Sequence, residues 1–270
     1  MNEEKPRLLE TDDGSITIFH PEYEQAMHTH SGAYTESLVK HINPSRLLEK
    51  IPEGINVLDV GFGMGYNILA LLHEAANRRL RGRINVISLE RDRSCGELIE
   101  KAAFNDERDS AFTLVKKAFF SGAAFQDDLS VSVLFGDARR TISSIRGMSF
   151  DAVFHDPFSP SKNPELWTVE IFRILHDLMK EDAILTTYSS ALQARSAMME
   201  AGLLIGKGPS MGMKREGTLA SRGRGIALFD KEELELMLKD RKAAPYRDPG
   251  LHDDRETITE RRRLEMRLRS

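Results

Sequence analysis

The sequence predicts an α/β fold: an open, largely parallel sheet with helices on both faces. Short apolar runs at 55–60, 84–89, 131–135, 150–155 and 183–188 alternate with stretches whose apolar residues recur at helical spacing. The first run, Val57-Leu58-Asp59-Val60, passes directly into Gly61-Phe62-Gly63-Met64-Gly65-Tyr66-Asn67 and then Ile68-Leu69-Ala70-Leu71-Leu72, the order of strand, tight turn and helix. Later runs end at Glu90, Asp137 and Asp156, and strand carboxyl ends are where open α/β sheets bind ligands.

The chain's 270 residues suffice for one large domain or two small ones with a sizeable core. The expected organisation is an extension over 1–50, a catalytic body over 51–240 and a tail with a basic helix over 241–270. Hydrophobic content of 40% with 30% charged residues suits a globular protein. No apolar run approaches the roughly 20 residues of a membrane span, and residues 1–5 lack a signal peptide's apolar core. The single cysteine, Cys95, cannot form an internal disulfide and fits a reducing, cytoplasmic setting; it is read as a packing or surface thiol. A net charge of −4 argues against a generally basic nucleic-acid coat. It leaves room for a local patch, and Lys207, Lys214, Arg215, Arg222 and Arg224 face only Glu216 within 207–224.

The glycine turn separates two ligand classes. Dinucleotide sites want G-x-G-x-x-G, with the third glycine permitting close helix packing; that position here is Tyr66, which disfavours a nicotinamide oxidoreductase. The G-x-G-x-G spacing with Asp59 ahead of it resembles motif I of class I S-adenosylmethionine-dependent methyltransferases. Glu90, about 25 residues on, is placed to accept hydrogen bonds from both ribose hydroxyls of an adenosyl ligand, or else is a solvated strand end. Asp137, after the third strand, stands where an adenine amino group is commonly received.

Before this core, Asp13-Gly14 signals a hairpin pairing 7–11 with 15–19, followed by a helix ending near Asn43. His20, His28 and His30 lack acidic or cysteine partners at ligand spacing, so no metal is expected. Residues 104–130 read as helices interrupted near Gly122, and helices are expected over 164–180 and 191–201. Strands at 203–207 and 225–229 close the alternation. Asp230 caps a helix to Arg241, and a last helix from Asp253 is expected to pack through Ile258, Leu264 and Leu268.

Asp156-Pro157-Phe158 supplies a carboxylate, a free carbonyl on a rigid turn and an aromatic face. Methyl transfer to an amine needs a neutral lone pair, and a carboxylate beside the nitrogen can orient it and take its proton. The triplet resembles the Asp/Asn-Pro-Pro-Tyr/Phe motif of amino-group methyltransferases. A turn cap with Phe158 as core filling is the plainer alternative.

A closer resemblance rests on several strings: 9–37 with Asp13-Gly14-Ser15 and Ser31-Gly32-Ala33-Tyr34-Thr35-Glu36-Ser37, the glycine turn, and Asp156-Pro157-Phe158-Ser159-Pro160-Ser161-Lys162-Asn163-Pro164-Glu165-Leu166-Trp167. Thr187-Tyr188-Ser189-Ser190 and Gly212-Met213-Lys214-Arg215-Glu216 complete it. Together they are similar to the methyltransferase component of the tRNA 5-methylaminomethyl-2-thiouridine biosynthesis enzyme, MnmC, over roughly residues 8–230. The family usually has Glu where Asp59 stands and Gly or Ala where Pro157 stands.

The resemblance implies a Rossmann-like methyltransferase with an N-terminal β-hairpin and a C-terminal helical tail. Its substrate would be the aminomethyl group of a modified wobble uridine in tRNA. Asp156 would contact the reacting amine; Asp59, Gly61, Phe62, Gly63, Gly65, Asn67, Glu90, Asp137 and Asp156 would surround S-adenosyl-L-methionine. Candidate substrate contacts are Tyr34, Phe158, Lys162, Asn163, Trp167, Tyr188, Lys214 and Arg215, with the aromatics offered to the base and the cations to phosphates. Trp167, at helical spacing from Phe172, is equally a core candidate. The family is often bifunctional with a flavin-dependent oxidase. No second glycine fingerprint is found here, so no flavin is expected, and upstream enzymes would supply the amine. The competing functions are a methyltransferase for a protein or small-molecule amine, and a non-catalytic S-adenosylmethionine-binding module.

Overall fold

The computed structural model describes residues 7–26, 32–91, 93–211 and 216–269. An N-terminal antiparallel sheet joins β1 (Arg7–Glu10), β2 (Ile16–His20) and β3 (Gln25–Ala26) in that order. Asp13 stiffens its first turn, accepting from Ser15 N at 3.0 Å, and ties it to the following helical segment by accepting from Thr35 N at 2.9 Å. That segment runs as helical turns from Ala33 to Ser45.

The main sheet takes β4 (Ile55–Val60), β5 (Ile84–Glu90), β6 (Ala123–Gln126), β7 (Leu129–Phe135), β8 (Phe150–His155), β9 (Met179–Thr187), β10 (Leu204–Lys207) and β11 (Thr218–Ser221). Their spatial order is β10-β11-β9-β8-β4-β5-β7-β6. The five central strands are parallel, and β6 and β11 run against their neighbours. From β4 the chain builds outward through β5 and β7, then returns to place β8 on β4's other side. The order therefore reverses between β4 and β8, and the crevice at their carboxyl ends is the fold's ready-made binding site.

Helices cover both faces, so β8 is buried along its whole length, with Phe150, Ala152, Val153 and Phe154 apolar and Asp151 paired with Lys180 at 2.7 Å. On one face Val57, Val86, Val131 and Phe154 pack under α1 (Tyr66–Asn77) and α2 (Arg108–Ser121). On the other, Leu58, Leu89, Val153 and Leu185 pack under α3 (Val169–Leu178) and α4 (Leu192–Glu200). After these come α5 (Lys231–Lys239), with the expected cap and a reciprocal Asp230–Glu233 pair, and α6 (Arg255–Leu268). No helix among the described residues is long and apolar enough to cross a membrane.

Four expectations are corrected. Residues 104–130 hold one long helix, stopped by Gly122 in a left-handed conformation, and then β6, which turns back through Asp127-Asp128 onto β7. The last strand is Thr218–Ser221; residues 225–229 form no strand and run beside β10, with Phe229 N bonded to Ile205 O at 3.1 Å. The expected helix over 164–180 divides into a short turn, Pro164–Leu166, and α3, because Thr168 caps the latter. In α6 only Ile258 is buried, while Leu264 and Leu268 are exposed. Arginines fasten that helix instead: Arg262 Nε donates to Ala244 O at 2.7 Å and Arg247 Nε pairs with Glu265 at 2.9 Å.

Candidate active site

A cavity of about 800 Å³ opens at the carboxyl ends of β4, β5, β7 and β8. Its floor is the turn after β4. Gly61 has φ 98°, and a Cβ there would sit 2.8 Å from the carbonyl oxygen of Asp156; only glycine lets the two strand ends cross this closely. Gly65, with φ 76°, leads into α1, where a side chain would collide with Val115 and Phe62. Tyr66, in the place of a third glycine, is buried and binds both N and O of Ile16 (2.9 and 2.7 Å), fastening the N-terminal hairpin to the glycine turn.

Asn67, in the first turn of α1, lies between two carboxylates. Its Nδ2 donates to Asp59 Oδ1 at 3.2 Å and Asp156 Oδ2 at 3.1 Å. Two carboxylates on one atom identify that atom as the amide nitrogen. Its Oδ1 is buried without a hydrogen-bond partner among the described residues, an acceptor beside the cavity. Asp59 is wholly buried and also accepts from Ser88 Oγ at 2.6 Å. Burial pushes its carboxyl up to about 7 against those two hydrogen bonds, and the charge of Asp156 adds to the rise. Asp59 does not line the cavity; it holds Asn67 from behind.

Around the rest of the wall, Glu90 at the end of β5 accepts from Gly63 N at 3.0 Å and Arg91 N at 2.6 Å. Asp137 follows β7 and caps the next turn. Burial favours its neutral form, but the Arg139 guanidinium outweighs that and holds it below the usual carboxylate range. Arg139 also donates to the buried Asp248 at 2.7 Å and to Asp253 O at 2.7 Å, so the tail is latched to this wall. Leu89, Cys95, Phe119 and Ala138 complete an apolar flank between the two acids. Glycine backbone, two strand-end acids and that flank suit an adenosyl group.

Opposite lies Asp156, with Phe158, Asn163, Glu165, Leu166 and Tyr188. Tyr188 donates to Pro157 O at 2.9 Å and Asn163 Nδ2 to Glu165 at 2.9 Å. The rim above them is drawn from both ends of the chain. Tyr23 stacks on Phe158 (centroids 4.0 Å apart) with Arg255 against its ring at 5.3 Å, and Arg91 pairs with Glu22 at 2.7 Å and binds the Tyr23 hydroxyl.

Gly61, Phe62, Gly63, Asn67, Glu90, Asp137, Asp156, Phe158, Asn163 and Tyr188 therefore converge on one cavity, with Gly65 shaping its turn. Three expected substrate contacts do not. Trp167 is fully buried, donates to Phe158 O at 2.8 Å and packs on His155, so it is core and no platform for a base. Tyr34 is directed to His73 Nδ1 at 2.6 Å, away from the cavity. Lys162 pairs with Glu24 at 2.7 Å on an exposed loop. Lys214 and Arg215, like His28 and His30, fall outside the described residues. Lys207 and Arg222, from the expected basic patch, are engaged with Glu233 and Met179 O.

Sequence reasoning missed the rim residues Tyr23, Arg91, Arg139 and Arg255, and it missed His41 beneath Asp156. Each is brought in by contacts across more than 40 residues of chain, which no local motif announces.

A family profile described as S-adenosyl-L-methionine-dependent methyltransferase matches residues 104–223. The fold and cavity accord with it: the chain is an S-adenosylmethionine-dependent methyltransferase, with that compound as its cofactor. The crystal structure of MnmC2 from Aquifex aeolicus superposes with a TM-score of 0.89 at 32% identity, covering 100% of this chain and 87% of that one. An uncharacterized protein of Methanocaldococcus jannaschii is 31% identical over 267 residues, 94% of this chain and 71% of its own length. The bifunctional MnmC of Leptospira interrogans is 31% identical over 178 residues, 61% of this chain and 27% of that protein. The chain belongs to the MnmC-like methyltransferase family. The matched region is about a quarter to a third of the length of the bifunctional relatives.

Proposed function

We propose that the protein methylates the primary amine of a 5-aminomethyl(-2-thio)uridine at the tRNA wobble position, giving 5-methylaminomethyl(-2-thio)uridine. The observation that carries this is the place of Asp156. It is the carboxylate on the floor of the cavity, at the β8 end, opposite the walls suited to an adenosyl group. The names of the MnmC relatives, which specify tRNA 5-methylaminomethyl-2-thiouridine biosynthesis, supply the substrate class. Residues 51–240 would form the catalytic body, with 1–50 and 241–270 completing its rim.

When bound, S-adenosylmethionine supplies an electrophilic methyl group on a sulfonium. Glu90 would take the ribose hydroxyls, since a carboxylate has acceptor capacity beyond its two backbone bonds. The Asp137–Ala138 turn would receive the adenine, and the backbone of the turn after β4 would face the methionine portion. Asp156 would orient the substrate nitrogen and accept its proton, leaving a neutral lone pair aimed at the methyl group that the bound cofactor would supply, with the sulfonium as leaving group. The Tyr23–Phe158 stack and Arg255 shield this end from water, which strengthens the contact of Asp156 with the amine. Asn163, fixed by Glu165, presents an amide to the base. Phe158 and Tyr188 give it aromatic surface, and Lys214 and Arg215 remain candidates for phosphate contact.

The test is methyl incorporation from labelled cofactor into two tRNA pools, one carrying aminomethyluridine and one unmodified at that base. Label confined to the first pool, recovered as methylaminomethyluridine, is the expected result. Label in neither pool, with cofactor binding intact, would move the substrate to a protein or small-molecule amine.

A further inference from the structure

We propose that His41 is a positioning residue for Asp156, holding its carboxylate ionised and turned toward the methyl-accepting nitrogen. This rests on the assignment of Asp156 to the reacting amine made above.

His41 lies in the helical segment Leu38–Ile42 and is 1% exposed. It does not line the cavity, so any effect on the reaction must pass through a neighbour. Its two nitrogens face different partners. Nδ1 is 2.8 Å from Thr186 Oγ1 on β9, and Nε2 is 3.6 Å from Asp156 Oδ2. The ring of Phe154 packs against it at 5.5 Å. A core histidine needs one hydrogen bond to be tolerated, and Thr186 supplies it. The second nitrogen nevertheless points at the carboxylate over the cavity floor. A Thr186 hydroxyl donating to Nδ1 leaves the ring proton on Nε2, facing Asp156. At 3.6 Å the attraction is electrostatic, and it is strengthened by the dry surroundings.

The need for such a neighbour follows from Asp59. Asn67 brings that second carboxylate close to Asp156, and each acid favours the neutral form of the other. A neutral Asp156 cannot accept a proton from the amine. Of the other described groups around the pair, the Asn67 amide donates to Asp156 but shares that nitrogen with Asp59. His155, on β8, is kept uncharged because burial drives its imidazole down to about 3. Lys40 Nζ donates to Pro209 O at 2.5 Å, and Glu36 is a buried acid on the preceding turn. Among the described residues, His41 Nε2 and the Asn67 amide both face Asp156 Oδ2 and favour its charged form against Asp59.

The experiment compares wild type with His41→Ala, His41→Gln and Thr186→Val in the full chain. It follows methyl transfer across about pH 5 to 9, with cofactor affinity measured by calorimetry. His41→Ala should lower kcat roughly 10–100-fold while cofactor Kd stays within about twofold. Its acidic limb of kcat should move up by about one pH unit, because Asp156 must then lose its proton without the His41 Nε2 facing its Oδ2. His41→Gln, which keeps an N–H, should recover part of the rate, and Thr186→Val should show a smaller loss in the same direction. A folded His41→Ala with wild-type kcat and limb overturns the proposal, as does a loss carried equally by cofactor affinity. A second readout needs neither substrate nor a His41 variant: the ring 15N resonances of His41 should move on Asp156→Asn. Unchanged resonances overturn the coupling. Absence of turnover by wild type on modified tRNA would count against the substrate, while the resonances would still report on His41.

Discussion

The floor and the rim of the cavity treat the same side chain in opposite ways. Behind the floor Asp59 is held by neutral donors, Ser88 and Asn67, in a fully buried place, and its carboxyl is pushed up to about 7. On the rim Asp137 meets the guanidinium of Arg139 directly and is held below the ordinary carboxylate range. The place behind the floor keeps Asp59 close to the point of gaining or losing a proton. The rim sets charge against charge, Asp137–Arg139–Asp248 and Glu22–Arg91, and so fixes where the two ends of the chain lie. Chemistry and shape are assigned to different parts of one cavity.

The largest effect that would break this contrast is at Asp156. Asp156→Asn keeps the size and one acceptor but removes the proton acceptor, and kcat should fall by about 10²–10⁴ with little change in cofactor affinity. Parallel loss of cofactor binding, read by calorimetry, would make the floor structural. On the rim, Arg139→Ala should act on stability. It leaves Asp248, which is 0% exposed, without its cation, and breaking a buried pair from one side costs about 3–5 kcal/mol. Urea unfolding should show that loss, and replacing Asp248 by Asn in the same chain should return part of it. A loss below about 1 kcal/mol would mean that the rim charges behave as solvated surface pairs.

The two regions also differ in how well the sequence announced them. The floor was legible because each part is local: an apolar run, a glycine turn and an acid at a strand end follow one another within a dozen residues. Asp59 shows the limit of that legibility. Its place ahead of the glycines marked it as a cofactor contact, but its side chain points behind the turn to Asn67 and Ser88. The rim was not legible, since Tyr23, Arg139 and Arg255 meet only after the chain's ends fold over the sheet. Trp167, a candidate for both substrate contact and core, stayed undecided in the sequence for a related reason. A motif fixes which residues lie near a strand end, while burial decides which of them face the ligand, and Trp167 turned into the core beside His155. β6 was missed because its four residues, Ala123–Gln126, are too short to show alternation before a turn built on Asp127-Asp128.

The smallest expected effect tests the floor through pH. Asp59 titrates near 7 in the folded chain and near 3.9 when unfolded, so between those values the folded state holds a proton that the unfolded state has lost. Stability therefore falls as pH rises from about 4 to 7, and levels off above that. Between about pH 5 and 8 the loss from this one group should be about 2.6 kcal/mol, read as the difference in urea unfolding free energy. Asp59→Asn is uncharged throughout and fits the same bonds: its carbonyl can accept from Asn67 and its NH₂ can donate to Ser88 Oγ. The variant should show a flatter slope and exceed wild type in stability at the alkaline end. A slope unchanged by the substitution would mean that Asp59 is already ionised in the folded chain, held by Asn67 and Ser88 alone. The floor would then stabilise its charges as firmly as the rim does, and His41 would have to hold Asp156 ionised against a charged Asp59.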